Sequence, residues 1–232
     1  AATLVPRIGA TGSVLLRLLF AMVILYAVAR PSWRRRTRAD WATVVLFGMA
    51  LAAMNTSFYA SLAHLPIGVA VTIECLGPLG LAAALSRRLR DVVAVTAAGL
   101  GVVLVSGVLH TSLDRLDLVG VGFAALAGVM WAAYIVLSQR TAGRFPKTDG
   151  LSLALVVAGL ATLPLGVVSA GPALADPVVL GLGLAVAVLS SALPYSLELR
   201  ALRTLPAGTF AVLMCLTPAI ATVVGFVVLH QA

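Results

Sequence analysis

From Trp41 to Ala63 the chain runs for 23 residues without a charged side chain. The hydrocarbon core of a bilayer is about 30 Å thick and takes roughly 20 helical residues to cross, so this run has the length of a transmembrane helix. The same signature recurs along the sequence. Apolar stretches run from Gly12 to Ala29 with only Arg17 inside, from Leu65 to Ser86 with only Glu74, from Val92 to Leu109, from Leu118 to Gln139, from Gly150 to Ala175, from Pro177 to Leu202 with Glu198 and Arg200 near its end, and from Thr204 to Leu229. Residues 1 to 10 are too short to cross and read as the tail of a further, truncated helix. Hydrophobic residues make up 61% of the 232, charged ones only 10%, and mean hydropathy is +1.10. That leaves far too little polar surface for a soluble domain. The expected class is an all-α polytopic membrane protein.

A second feature divides the chain. Leu62 to Pro78 (LAHLPIGVAVTIECLGP) returns, 140 positions on and without a gap, as Leu202 to Pro218 (LRTLPAGTFAVLMCLTP), identical at 7 of 17 positions. The chain therefore reads as two related halves, residues 1–110 and 117–232. In each copy a proline opens the apolar segment, where a missing N–H costs nothing, and another sits 12 residues further in. Inside a helix, proline leaves the carbonyl four residues earlier without its donor: that of Glu74 for Pro78, of Met214 for Pro218 and of Ser190 for Pro194. A freed carbonyl is tolerated in hydrocarbon only where protein or water covers it, and interrupted helices at matching places in two halves point to a transporter's central site. Pro78, Pro218 and Pro194 are therefore expected as helix-break hinges.

The net charge of +8 raises the question of a nucleic-acid partner. The positions of the basic residues argue against one. Alternate connections hold Arg30, Arg34, Arg35, Arg36 and Arg38, then Arg87, Arg88 and Arg90, then Arg140, Arg144 and Lys147, then Arg200 and Arg203, which is 13 of the 16 basic residues. The opposite side carries Arg7 and Arg115. By the positive-inside rule the first group is cytoplasmic. Counted along the spans, the Pro206 helix lies five steps after the Pro66 helix; an odd step reverses direction, so the two are antiparallel and the expected repeat is inverted.

Candidate functional residues emerge from depth. Glu74 lies eight residues past Pro66, about 12 Å into the core, and Arg17, on a helix starting near Gly12 from the same side, lies roughly 8 to 12 Å in. Charges at that depth cost several kcal/mol and are functional candidates by default, although a structural Arg17–Glu74 ion pair satisfies the same energetics. Asn55 and Tyr59 stand four apart on one helix face, as do Ser191 and Tyr195, and the 140-residue register makes Tyr195 the counterpart of Asn55. Trp131 and Tyr134 fall nearer the midplane than an interfacial belt would put them. As a set these groups describe a polar cavity; singly, each also reads as interhelical glue. Glu198 is expected at the cytoplasmic edge, in salt bridges with Arg200 and Arg203. His64, His110 and His230 fall singly at outer helix ends as solvated caps, so no metal site is expected. Cys75 and Cys215, at repeat-equivalent positions, are expected as reduced packing residues.

The segments GATGSVLLRLLF, MNTSFYASLAHLPIGVAVTIECLGPL, WAAYIVLSQR and LSSALPYSLELRALRTLPAGTFAVLMCLTPA resemble the EamA-type drug/metabolite transporters. Within that family they are similar to the bacterial threonine/homoserine exporter group, through VTIECLGPL and LPYSLE. The resemblance implies ten helices in two inverted five-helix repeats, of which most of helix 1 and all of helix 10 are absent here, with apolar faces exposed in their place. The Gly-Glu that family members carry after the ninth helix reads His230-Gln231 in this chain. The resemblance further implies an exporter of amino acids in a bacterial inner membrane, with protons and the lipid bilayer as its other partners and a homodimer among the assemblies open to it. It also places Trp131 at the cavity. An intramembrane enzyme, a passive assembly partner, or a transporter of nucleobases or sugar derivatives are the alternatives. No G-x-S-x-G, H-E-x-x-H, paired-Asp or G-x-x-x-x-G-K-[ST] motif supports catalysis or ATP use, and no cofactor is expected.

Overall fold

The computed structural model describes residues 4–33, 36–105, 116–218 and 220. Every described element is helical: α1 Val5–Ala29, α2 Arg38–Ser61, α3 Ile67–Leu85, α4 Leu89–Val105, α5 Leu118–Arg144, α6 Asp149–Ala170, a 3-10 turn Gly171–Ala175, α7 Pro177–Ala187, a π-helical turn Val188–Ala192, α8 Leu193–Ala201 and α9 Ala207–Met214. Six spans, Val5–Ala29, Arg38–Ser61, Ile67–Leu85, Leu118–Arg144, Asp149–Ala175 and Pro177–Ala201, are long and apolar enough to cross a membrane. The other two expected spans, Val92–Leu109 and Thr204–Leu229, run out of the described residues. Arg34, Arg35, His110, Arg115, His230 and Gln231 also lie outside them.

Helix boundaries reflect local chemistry. Thr37 and Asp40 form a reciprocal capping box at the start of α2, and the Asp117 and Asp176 carboxylates accept from the backbone N–H groups of Val119 and Val178 to open α5 and α7. At the chain start, Gly9 has φ 73° and ψ 174°, a conformation that glycine adopts without strain. Gly9 therefore separates one short turn from the long span of α1, where the sequence suggests the tail of one helix and the start of the next.

The bundle packs α1 on α6, α2 on α5 and α6, and α3 on α4, α5 and α9. Its core centres on Phe47, Leu51, Tyr134, Ile135 and Leu155, all 1% exposed or less. The α3–α5 crossing is the closest backbone approach near the sequence-marked proline. A Cβ on Gly128 would stand 2.7 Å from the Glu74 carbonyl oxygen, and one on Gly77 would overlap the Gly128 carbonyl. The carbonyl that Pro78 frees is thus covered by the Gly128 backbone, and α3 continues through Pro78 without interruption. This corrects the expectation of a helix break there: the lost hydrogen bond is offset by close packing, so the helix need not open. On its other side α3 meets α9. Gly208 lies against Leu85 and Cys215 against Cys75, so the two helices run antiparallel. Both cysteines are free and buried, and the Cys215 thiol donates to the Cys75 carbonyl at 3.9 Å.

The two ends of the bundle are tied differently. At one end Arg36 meets Asp149 at 3.5 Å and lies 4.5 Å from the Phe145 ring centroid; Arg144 meets Asp40 at 3.6 Å; and Arg203 donates to the carbonyls of Phe145 and Lys147. At the other end His64 Nδ1 lies 2.6 Å from Asp117 Oδ2 and its ring stands 6.3 Å from that of Phe123. His64 is therefore not merely a solvated cap. It fastens the α2–α3 loop to the start of α5, because Asp117 at the cap of α5 is within reach. The Asp117 carboxyl is held below the ordinary carboxylate value, first by the Val119 N–H and then by the His64 ring.

Gly77→Ala should destabilise the protein by about 1–3 kcal/mol through overpacking at the crossing. Gly80→Ala, one turn further along α3 with nothing within 4 Å of its Cβ position, should be neutral or mildly stabilising, and thermal unfolding of the two variants checks the contrast. The Asp117 interaction is fully present above the unfolded carboxylate pKa and is lost as pH falls through the lowered folded value. Asp117→Asn should therefore lower the thermal midpoint at about pH 6, with the gap to the parent protein closing as pH falls below about 4.

Candidate functional site

The polar side chains singled out in the sequence lie on α1, α2, α3, α5, α8 and the π turn before it, and the fold joins several of them into one interior strip. Asn55, 5% exposed in the middle of α2, donates through Nδ2 to the Leu51 carbonyl at 2.8 Å and to the Tyr195 hydroxyl at 3.2 Å. Asn55 and Tyr195 are 140 positions apart, the interval of the sequence repeat. The Tyr195 ring stands 5.7 Å from that of Tyr134 on α5, and the Tyr134 hydroxyl donates to Glu198 Oε2 at 2.6 Å. One turn along α2 from Asn55, the Arg17 guanidinium lies 5.5 Å from the Tyr59 ring centroid. That distance is within cation–π range. Trp131 is half-buried and packs against two core clusters, one of them holding Cys75 and Cys215.

Glu74 is half-buried midway along α3. Arg17 is near enough for its charge to be felt there, yet no ion pair or hydrogen bond joins the two, and Glu74 has no other such partner among the described residues. The direct Arg17–Glu74 ion pair suggested by matching depths does not form, because the guanidinium turns to Tyr59 on the face of α2. Arg17 Nε, Ser191 Oγ and Ser138 Oγ are the buried side-chain atoms that no described group of the protein satisfies. Unsatisfied polar atoms are costly in a membrane interior and call for an explanation. Arg17 and Ser191 both belong to the residue set marked in the sequence.

Glu198 departs from expectation. It forms no salt bridge with Arg200 or Arg203; Arg203 instead engages the Phe145 and Lys147 carbonyls, and the Glu198 carboxylate turns inward to Tyr134. The cause is the π-helical turn Val188–Ala192 just before Pro194. A π turn accommodates one extra residue and rotates the succeeding side chains by about 100° relative to a continuous α-helix. Counting residues along an ideal helix therefore gives Glu198 the wrong face. The available signal is the proline itself, which removes the i−4 bond and invites such a turn. Pro194 thus reshapes its helix without ending it, whereas Pro218 comes after the turn that closes α9 at Met214.

This arrangement defines a class: a multi-pass helical membrane protein whose interior carries ionisable and hydroxyl groups. The EamA-like transporter family model matches residues 118–232. The threonine/homoserine exporters RhtA of Salmonella typhimurium and of Escherichia coli (strain K12) are each 42% identical over 232 residues, covering 100% of this chain and 78% of the exporter. A solved crystal structure superposes with a TM-score of 0.75 at 18% identity, covering 100% of this chain and 84% of the other. The chain belongs to the EamA-like transporter family. Its relatives are named as exporters, not as enzymes.

Tyr134→Phe should remove the hydroxyl that donates to a half-buried carboxylate and cost about 1–3 kcal/mol, while Glu198→Gln, which keeps an acceptor for Tyr134, should cost less. Unfolding of the two variants in one detergent measures the order.

Proposed function

We propose that the chain is a secondary active exporter of small zwitterionic metabolites, amino acids of the threonine and homoserine kind, driven by inward proton movement. The observation that carries the reading is the separation of Arg17 from Glu74. The Arg17 charge is felt at Glu74 but the two do not pair, while Arg17 Nε has no acceptor among the described residues. A zwitterion brings a carboxylate for the guanidinium and an ammonium for the carboxylate, so it completes both at once. The names of the 42% identical exporters supply the substrate class.

In this reading residues 1–110 and 117–232 are two inverted repeats. The antiparallel α3 and α9, with Cys75 against Cys215 and Asn55 against Tyr195 at the same 140-residue interval, support a pseudo-two-fold axis between them. The basic loops face the cytoplasm of a bacterial inner membrane. The Arg36, Arg144 and Arg203 ties then close the cytoplasmic side and the His64–Asp117 contact holds the outer side, so alternating access exchanges one set for the other. Asn55, Tyr59, Trp131, Tyr134, Ser191 and Tyr195 line the path, and Pro194 and Pro218 mark the segments that flex, while α3 stays regular through Pro78. Glu74 takes the proton when the ammonium leaves.

Counterflow of labelled amino acids in proteoliposomes under a clamped pH gradient tests the scheme. Glu74→Gln should lose accumulation against a gradient but retain exchange, since exchange needs no net proton movement. Arg17→Gln should raise the half-saturation concentration roughly tenfold or more, the scale of one charge-assisted hydrogen bond. Accumulation by Glu74→Gln under an imposed pH gradient alone would sink the coupling role, and an unchanged half-saturation in Arg17→Gln would sink the carboxylate site.

A further inference from the structure

A cavity of about 600 Å³ opens between the end of α3, the start of α4 and the start of α9, away from Glu74 and Arg17. Its polar lining is Arg87, Arg88, Arg90 and Asp91, with Ser86, Gln139 and Thr209. Three cations face one anion. Asp91 is itself engaged, accepting from the backbone N–H groups of Arg87 and Arg88 and lying 3.9 Å from the Arg90 guanidinium, so it does not neutralise Arg87 and Arg88. Past Ala94 and Val212 the cavity adjoins a second one of about 210 Å³, which shares those two residues and is otherwise lined by Ala97, Ala98, Gly101, Val102, Cys215 and Leu216. Among the described residues, the Cys215 thiol is the one polar side chain that reaches it. A cationic mouth at the basic end of the bundle thus leads into an apolar trough running along α4 and α9 toward the middle of the membrane.

We propose that this composite site binds an anionic phospholipid, its headgroup phosphate on Arg87 and Arg88 and one acyl chain in the trough between α4 and α9. The fit is chemical at both ends. Arginine presents a planar fork that suits a phosphate oxygen pair, and it does so at the end of the bundle where its charge meets lipid headgroups. The small side chains Ala94, Ala97, Ala98 and Gly101 leave one face of α4 hollow beside Val212, Cys215 and Leu216. A soluble anion would use the mouth alone and has no need of the trough. A lipid uses both, and by filling the gap it would brace α4 against α9.

The test is native mass spectrometry of the protein from a neutral detergent, titrated with phosphatidylglycerol or phosphatidylcholine of the same acyl chains. Parent protein should retain phosphatidylglycerol through activation that strips phosphatidylcholine. The triple variant Arg87→Gln, Arg88→Gln, Arg90→Gln should lose that preference by roughly tenfold or more. These side chains are exposed, so the fold should persist, which an unchanged thermal midpoint without lipid verifies. Ala98→Phe, which fills the trough and leaves the arginines intact, should weaken phosphatidylglycerol binding as well. Equal retention of the two lipids by the parent protein, or an unchanged preference in the triple variant, would overturn the proposal. So would displacement of the lipid by millimolar inorganic phosphate together with no effect of Ala98→Phe, which would make the mouth a site for soluble anions.

Discussion

Hydrocarbon offers no hydrogen bond to a backbone carbonyl, and the centre of this bundle is arranged around that deficit. Pro78 leaves the Glu74 carbonyl without its helical donor at the level where the Glu74 side chain also has to be housed. The Gly128 backbone fills the space, and Gly77, one residue before the proline, lets it come close enough. The solution has a geometric consequence. With α3 and α5 locked at two glycines, the residues one and two turns further along α5, Trp131 and Tyr134, turn inward. Tyr134 becomes the largest fully buried side chain among the described residues. The polar strip is in this sense downstream of a packing contact that contains no polar side chain.

Pro194 meets the same deficit by another route. Among the described residues no glycine is found against the freed carbonyl of Ser190; the helix instead widens into a π turn over Val188–Ala192. Widening costs hydrogen-bond geometry locally and shifts the register of everything after it, and the shift carries Glu198 from the rim to Tyr134. Two prolines with the same local chemistry therefore give opposite outcomes, one helix held regular by a neighbour and one remodelled. What differs is the partner helix, which is information that neither proline's flanking sequence contains.

Six of the spans and the antiparallel relation of α3 and α9 were legible, as was the pairing of Asn55 with Tyr195 as repeat counterparts though not their hydrogen bond, because each depends on apolar length, loop charge or the repeat interval. Those are properties read along one dimension. The inward turn of Glu198 was not legible, since it depends on a one-residue insertion in a helical turn that leaves no mark in composition. The His64–Asp117 contact was hidden for a different reason. Each residue reads locally as a cap, and only the folding of α5 beside α3 brings two caps together. The stacking of Arg17 on Tyr59 belongs with these: matched depth said that Arg17 and Glu74 lie level, but depth is blind to rotation about the helix axis, and rotation decided the partner.

The contacts that close the two ends of the bundle are of a kind that can be exchanged. At the basic end they are arginine–carboxylate and arginine–carbonyl contacts, some half-exposed, with Arg144 45% and Asp40 19% exposed at the side chain. The exposed ones, Arg144–Asp40 among them, gain little over hydration, because water replaces the partner as soon as the two part. The interior is different: the Gly77–Gly128 crossing and the aromatic core around Phe47 and Tyr134 have no water to substitute for their contacts, and separating them costs the full packing energy. A molecule built this way yields first at its ends and last at its centre. In the proposed exporter cycle, rocking would turn about the middle of the bundle, with the α3–α5 crossing and the α3–α9 contact at Cys75 and Cys215 as its fixed point, so that a small rotation there would change which side Arg17 and Glu74 face without requiring either to cross the membrane.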